Sequence, residues 1–369
     1  MASETVQTIA RLTPLAEVLA LIEREVRPVA PRSVEPRAAF GTILAADVVA
    51  PIRPTVPVAI LDGWALAAES THGAGGYSPV LLPAVPPRVD VGQPMPPETD
   101  CVAPLDVVKV VASGAEVLGT INSGDGVLSA GGDCDGNTPM RRKGDHIRLT
   151  DMTVLHAAGV TQVSALAARI VVVALREDPI IADVVQFLGS DMVGTARLGL
   201  ADCGCDLAAA LAMDNVDAIV AVGGTGQGRD DRSVATLATK GRLVVHGIAL
   251  SPGETAAFGF ARGKPILLLP GRLDAALAVW LTVGRRMLAR LTGGAPSEPT
   301  EIVTLSRKIT STVGLAEIIL LRRSGELAEP LAAKYLSFSA LTCSHGWLLV
   351  PAHSEGFSAG TQVEMRPWP

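Results

Sequence analysis

The clearest pattern of hydrophobic and polar positions begins at Arg169. From there, runs of consecutive apolar residues alternate with segments whose apolar residues recur at helical spacing. Strands that are apolar on both faces and alternate with helices predict a mostly parallel sheet covered on both sides. The predicted strands are Ile170–Leu175, Met192–Leu198, Ala218–Val222 and Pro265–Leu269, and the predicted helices are Pro179–Leu188, Asp206–Met213 and Asp274–Leu291. We therefore predict a doubly wound α/β domain over residues 169–294, whose ligands bind at the carboxyl ends of its strands.

The N-terminal part of the chain shows helical and extended patterns. An amphipathic helix is predicted after Thr13-Pro14, a plausible cap followed by a first-turn proline. A second helix is predicted after Thr150-Asp151, with Gly159 as its stop signal. We assign residues 1–50 and 130–168 to one elongated N-terminal domain.

Two smaller β domains are predicted on either side of these patterns. Residues 51–129 are rich in proline and lack helical periodicity, which is typical of an inserted β-rich domain. Its predicted strands are Val80–Leu82, Val107–Val111 and Val117–Ile121. The Gly/Pro segment Gly293–Pro299 marks the boundary to a C-terminal β-barrel-like domain over residues 298–369, with predicted strands Ile302–Leu305, Ile318–Leu321 and Trp347–Val350.

Composition narrows the class of protein. The chain has 369 residues, of which 48% are hydrophobic and 18% charged, so it is long enough for several cores. Its net charge is −6 and its longest basic run is Arg141–Lys143, which argues against nucleic-acid or anionic-membrane binding. Apolar runs fall far short of the roughly 20 residues that span a bilayer, and the N-terminus lacks a secretory signal pattern. The five cysteines form no Cys-x-x-Cys pair. We expect a cytoplasmic protein.

Asp62 lies beside Gly63 between two apolar segments, Val56–Leu61 and Trp64–Leu66. A buried or half-buried carboxylate is costly unless something binds it, so Asp62 is a candidate site residue. The alternative is a tight turn, because the Asp-Gly dipeptide tolerates positive φ.

A glycine-rich loop over Gly223–Gly228 follows a predicted strand and precedes a helix expected to start near Asp231. Backbone N–H groups in such a loop can face an anion with no Cβ in the way, which predicts a phosphate-bearing ligand. The loop follows the third strand of its domain rather than the first, which weakens a dinucleotide-binding interpretation. The sequence contains no P-loop and no Gly-x-Ser-x-Gly motif.

Acidic residues accompany this loop. Asp230 and Asp231 could cap the following helix, or one of them could bind a divalent cation that bridges to a phosphate. Glu177 and Asp178 follow the first strand and fall at the same sheet edge, which makes a metal-assisted phosphate site possible. Each is alternatively a solvated loop charge. Leu269-Pro270-Gly271 is likewise a rigid turn or a second ligand-facing loop.

Three segments in order resemble the molybdopterin molybdenumtransferase (MoeA-like) family, which completes molybdenum cofactor synthesis. Ala59–Ala65 is similar to the family's Ser-Ala-Met-Asp-Gly-Tyr-Ala segment, and Gly223–Gly228 with Asp231 to its Gly-Gly-Val-Ser-x-Gly loop and following aspartate. Pro270–Leu273 is similar to its Pro-Gly-Asn-Pro loop. The resemblance extends over nearly the whole chain.

The resemblance implies an elongated homodimer with the active site between the sheet domain of one subunit and the N-terminal domain of the other. It implies adenylylated molybdopterin and molybdate as substrates, AMP as a product and Mg²⁺ as the cation. Expected catalytic residues are Asp62 and Asp231; expected cofactor-binding residues are Gly223, Gly224, Thr225, Gly226, Gly228, Pro270, Gly271 and Arg272; expected magnesium ligands are Asp62, Asp231, Glu177 and Asp178.

Several positions depart from the family pattern. Leu175–Asp178 replaces Thr-Gly-Asp-Glu, Val91–Pro94 replaces Thr-Gly-Ala-Pro, and the last two residues of Pro-Gly-Asn-Pro become Arg272 and Leu273. Arg272 adds positive charge. These changes keep open a second function, a non-catalytic carrier or chaperone that holds molybdopterin or the finished cofactor for a molybdoenzyme. A scaffold that binds no cofactor is a third.

Overall fold

The structure is a computed structural model that describes residues 7–192, 196–200, 206–294 and 299–368. Contacts divide the chain into two compact units. The sheet unit contains the described residues of Met1–Arg32, Ala39–Ile43 and Ser164–Pro369, and the insert unit contains Ser33–Ala38 and Leu44–Val163. The four predicted domains stay a prediction.

A six-stranded sheet forms the centre of the sheet unit and confirms the predicted α/β fold. Its strands lie in the order Ala196–Leu200, Ala168–Ala174, Ala218–Val222, Lys264–Leu269, Ala257–Ala261 and Arg242–His246. The first four are parallel, and Ala257–Ala261 pairs antiparallel with both of its neighbours. Side chains alternate between two cores, with Val172 and Val220 in one and Val171 and Ile219 in the other. Both faces are therefore covered.

Helices cover these faces close to where periodicity predicts them. The helices of the sheet unit are Leu15–Glu25, Pro179–Met192, Leu207–Ala212, Ser233–Lys240, Leu273–Val279, Arg285–Leu291 and Phe338–Cys343. Leu273–Val279 continues through a π-helical turn, Trp280–Gly284, into Arg285–Leu291, which confirms one long helix there. Among the described helices, none is both long and apolar enough to cross a membrane.

Two local predictions for the sheet unit are wrong or shifted. Thr13-Pro14 provides no side-chain cap and instead pairs as a short strand with Ile248 and Ala249. Met192 ends a helix, residues 193–195 lie outside the described residues, and the strand predicted at Met192–Leu198 is Ala196–Leu200. Cys203, Cys205 and part of the boundary Gly293–Pro299 also lie outside the described residues.

The C-terminal region forms a closed five-stranded barrel, which confirms the predicted barrel-like domain. Its strands follow in the order Ala316–Ser324, Leu327–Ala332, Glu301–Leu305, Gln362–Pro367 and Gly346–Val350, and the last pairs again with the first. Strand Ile248–Ser251 extends this sheet by parallel pairing with Ala316 and Glu317. Two short strands, Ile309–Thr310 and Gly356–Phe357, pair beside it.

The insert unit is built from small sheets. One three-stranded sheet has the strand order Arg88–Val89, Gly63–Leu66 and Cys101–Pro104. A second has the order Val80–Leu82, Gly114–Val117 and Val108–Val111. In a third, two-stranded sheet, Val58–Ala59 pairs with Val127–Leu128. The remaining elements of this unit are the 3₁₀ turns Pro36–Ala38 and Ala68–Thr71 and the helix Leu149–Ala157. The short strands Arg32–Val34 and Val163–Ala165 lie where the chain passes from one unit to the other. The strand predicted at Val117–Ile121 is wrong, because Val117 ends a strand instead of beginning one.

The π-helical turn depends on a glycine. Trp280 is fully buried and its indole Nε1 donates to Asp191 Oδ2 at 2.6 Å. A Cβ atom at Gly284 would lie 2.1 Å from Trp280 Cε3, so the glycine leaves room for the ring.

We expect Gly284→Ala to destabilise the protein by about 2 kcal/mol, because overpacking forces the indole out of its contact with Asp191. Urea unfolding followed by tryptophan fluorescence measures the change. Gly76→Ala is the matched control, since no atom lies within 4 Å of a Cβ there. Equal unfolding midpoints for the two variants would contradict this account of the turn.

Candidate functional site

Two of the predicted ligand-facing loops meet at the carboxyl edge of the central sheet. The N–H of Gly223 donates to the carbonyl of Leu269 at 2.9 Å, which ties the glycine loop to the end of the next strand. A Cβ at Gly271 would lie 3.6 Å from the Cα of Gly223. Parallel strands end at the same edge, so the sheet itself brings Gly223–Gly228 and Pro270–Gly271 together.

The glycine loop turns through left-handed backbone conformations. Gly223 has φ +103° and Gly224 has φ +69°, values that favour glycine. Beyond this turn, the backbone N–H groups of residues 225–227 donate hydrogen bonds to no other described residue. Successive unpaired N–H groups in a tight turn form a concavity that suits an anion.

Thr225 contributes its backbone to this loop and buries its side chain. Its Oγ1 lies 3.0 Å from Thr255 Oγ1, and its carbonyl lies 3.3 Å from Nε2 of His246. Thr255 belongs to the segment Pro252–Gly259, which follows the strand Ile248–Ser251. The hydroxyl of Thr225 is therefore buried and paired with another side chain of the protein.

Gln7 fastens the loop to the following helix, and sequence reasoning did not find it. Its Nε2 donates to the carbonyls of Gly224 at 3.0 Å and Gly226 at 3.1 Å. Its Oε1 accepts from the N–H of Ala235 at 2.9 Å, and Ser233 Oγ also donates to Gly224 at 2.6 Å. A glutamine 217 residues away along the chain carries no motif that would reveal this contact.

Asp231 closes the glycine loop. Its Oδ2 accepts from the N–H of Gly228 at 3.0 Å, and its Oδ1 accepts from the guanidinium of Arg176. A Cβ at Gly226 would lie 2.8 Å from Oδ2, and one at Gly228 would lie 3.1 Å away. These two glycines therefore make room for the carboxylate. The helix begins later, at Ser233, so Asp231 caps the loop and not the helix.

Arg272 is also paired with a carboxylate of the protein itself. Its guanidinium donates to both oxygens of Asp274, at 3.1 and 2.6 Å, and lies 5.4 Å from the ring centroid of Tyr335. The hydrogen bond to buried Asp274 raises the pKa of Arg272. Asp274 also accepts from the N–H of Leu336 at 3.2 Å. The positive charge expected from Arg272 is thus balanced within the protein.

The predicted magnesium ligands are not gathered into a cation site. Asp178 Oδ1 accepts from the N–H of Ile180 at 2.8 Å, as a cap of the helix Pro179–Met192, and Glu177 is exposed. Within the described part of the chain, no group of three or more His, Cys, Asp or Glu side chains could hold a metal ion. Both oxygens of Asp231 already accept hydrogen bonds. The described residues therefore do not fit a magnesium ion resident at Asp231.

Asp62, in the insert unit, is exposed, so the expectation of a buried charge is wrong. Its Oδ1 accepts from the N–H of Val91 at 2.8 Å, which fixes the carboxylate. Gly63 begins a strand, and a Cβ there would lie 2.1 Å from the carbonyl oxygen of Ala103. Gly63 is needed for close approach of two strands, so the tight-turn alternative is also wrong.

Comparisons with known proteins place both regions in one family. The model "MoeA N-terminal region (domain I and II)" matches residues 13–159, which include Asp62. The model "Probable molybdopterin binding domain" matches residues 176–290, which include Arg176, the glycine loop and Arg272.

Whole-chain comparisons agree. Molybdopterin molybdenumtransferase 2 of Mycobacterium tuberculosis is 25% identical, with 94% of this chain and 97% of that protein covered. A molybdopterin biosynthesis MoeA protein of Pyrococcus horikoshii has a similar structure, with a TM-score of 0.68, 22% identity and coverage of 97% and 99%. A molybdenum cofactor biosynthesis protein of Pyrococcus furiosus gives a TM-score of 0.57 at 17% identity, with coverage of 97% and 100%. The structural similarities show the fold. With the two family models matching most of its length in order, the chain belongs to the MoeA family of molybdopterin molybdenumtransferase-like proteins.

Proposed function

We propose that this protein inserts molybdate into adenylylated molybdopterin and releases AMP, within its general role in molybdenum cofactor biosynthesis. The observation that supports this most is the junction of Gly223–Gly228 with Pro270–Gly271 at the carboxyl edge of the sheet. The backbone N–H groups of residues 225–227, which have no partner among the described residues, suit the phosphate of a pterin ligand. The junction lies within the segment that matches a molybdopterin binding domain.

In this proposal the residues of the glycine loop bind and orient the ligand. The N–H groups of residues 225–227 hold its phosphate, while Gln7 and Asp231 keep the loop in shape. Asp231 acts by positioning the loop, since one of its oxygens accepts from the N–H of Gly228 and the other from the guanidinium of Arg176. No step requires a magnesium ion resident at Asp231.

Asp62 is the proposed catalytic carboxylate, and a second copy of the chain supplies it. Val91 orients one oxygen of Asp62 and leaves the carboxylate exposed. Beside it in the insert unit, Ile60 is 56% exposed and Val91 61% exposed. Large exposed apolar side chains next to a fixed carboxylate support a homodimer that covers this face. We further propose a cytoplasmic location and transfer of the product to a molybdoenzyme.

A non-catalytic carrier of molybdopterin is the second candidate. The glycine turn and its N–H groups are retained, whereas Arg176 and Arg272 are each paired with an internal carboxylate. Such a site can bind a pterin without turning it over. The two candidates differ in one product, because only the transferase releases AMP.

We expect Asp62→Asn to lower the rate of AMP release by about 100-fold or more without changing the amount of bound pterin, because the amide cannot take a proton from the water molecule that attacks the phosphoanhydride and displaces AMP. The assay supplies adenylylated molybdopterin and molybdate, and scores AMP and protein-bound pterin in the same sample. Asp106→Asn, a change at another exposed carboxylate of the insert unit, is the control. Bound pterin with no AMP from the unaltered protein would favour the carrier. Undiminished turnover in Asp62→Asn would remove Asp62 from the chemistry.

We expect Gln7→Ala to weaken molybdopterin binding about tenfold, because the carbonyl of Gly226 and the N–H of Ala235 lose their partner, the carbonyl of Gly224 loses one of its donors, and the loop is no longer held. Equilibrium titration followed by pterin fluorescence measures the affinity, and hydrogen exchange of residues 223–233 measures the loop. Gln186→Ala is the control, since Gln186 is exposed on a helix of the same unit. Unchanged hydrogen exchange of residues 223–233 in Gln7→Ala would refute the role of Gln7 in holding the glycine loop.

A further inference from the structure

Arg176 directly precedes Glu177 and Asp178, the two acidic residues that the family resemblance led us to expect as metal ligands. It follows the strand Ala168–Ala174, at the same edge as the glycine loop. Its guanidinium contacts Oδ1 of Asp231. The Asp231 side chain is 10% exposed and that of Arg176 is 47% exposed. The guanidinium of Arg176 therefore lies between a mostly buried carboxylate and solvent.

This arrangement already neutralises Asp231. One carboxylate oxygen accepts from Arg176 and the other from the N–H of Gly228 at 3.0 Å. A divalent cation that approached Asp231 would meet the guanidinium at close range and be repelled by it. The metal could bind only if Arg176 moved away. The absence of a three-ligand acidic cluster among the described residues fits the same conclusion.

Arg176 retains donors for a ligand. A guanidinium has five N–H donors in a planar fork, and the contact with Asp231 uses one side of it. Its exposed part faces solvent beside the loop whose N–H groups at residues 225–227 are unpaired among the described residues. Guanidinium and backbone N–H groups together are a strong combination for phosphate.

We propose that Arg176 takes the place of a divalent cation in this protein: it balances Asp231 and donates to the phosphate of the bound pterin, which therefore binds without metal. The phosphate part of this inference rests on the proposed function. The part concerning Asp231 does not, because it concerns only which cation the carboxylate accepts.

Manganese binding to the protein alone tests the cation position. We would count bound Mn²⁺ by electron paramagnetic resonance in the unaltered protein, Asp231→Asn, Arg176→Gln, and Arg176→Gln combined with Asp231→Asn. We expect the first two to bind equally, Arg176→Gln to bind more Mn²⁺ than either because its Asp231 carboxylate is no longer balanced, and the double variant to lose that gain. Loss of a site in Asp231→Asn alone would overturn the proposal. Arg176→Lys keeps the charge and should gain no site.

Ligand titration tests the phosphate contact. We expect molybdopterin to bind the unaltered protein with the same affinity, within about twofold, in EDTA and in Mg²⁺. Arg176→Gln should bind about tenfold more weakly in EDTA, because a charge-assisted hydrogen bond is lost. Arg169→Gln removes the same charge from an exposed position at the start of the same strand and should not change affinity.

The two measurements separate the possible failures. Pterin binding that occurs only with Mg²⁺ would overturn the proposal even if the protein is a working transferase. No pterin binding under either condition would refute the proposed function and the phosphate contact together, and the manganese count would still decide whether Arg176 occupies the cation position.

Discussion

Burial of apolar strands on both faces of one sheet is the constraint on which the sheet unit depends. Every residue of Ala218–Val222 is buried, with alternate side chains in two separate cores. Such strands must run side by side with helices above and below them, and the chain can turn only at the edges. The strands that end at Ala174, Val222 and Leu269 therefore end at one edge of the sheet. The loops that begin there contain Arg176, Gly223 and Gly271.

The shape of that edge is fixed by a few polar contacts. Gln7 and Ser233 occupy the carbonyl of Gly224, and Asp231 fills the space left by two glycines. Paired in this way, the loop presents backbone N–H groups, while the carbonyls of Gly224, Gly226 and Gly228 and the carboxylate of Asp231 already accept hydrogen bonds. The outcome is a site prepared for an anion, with the guanidinium of Arg176 held beside it by Asp231.

Helices and strands with a clear hydrophobic pattern could be predicted from the sequence, and contacts between residues far apart along the chain could not. Ala218–Val222 was predicted to the residue because an unbroken apolar run has a single stable environment. Gln7 was missed because a single polar residue near the N-terminus has no pattern that points to a loop far along the chain. For Asp62, flanking apolar residues suggested burial, yet Ile60 and Leu61 are themselves exposed, so local hydrophobicity misjudged its surroundings.

The central claim is that the glycine loop holds the phosphate of molybdopterin. A crystal structure of the protein grown with molybdopterin in the presence of EDTA tests it most directly. The account predicts phosphate oxygens within hydrogen-bonding distance of the backbone N–H groups of residues 225–227, with the Arg176 guanidinium in contact with both the phosphate and Asp231. Phosphate density elsewhere on the protein, or an Arg176 side chain turned away from Asp231, would contradict it.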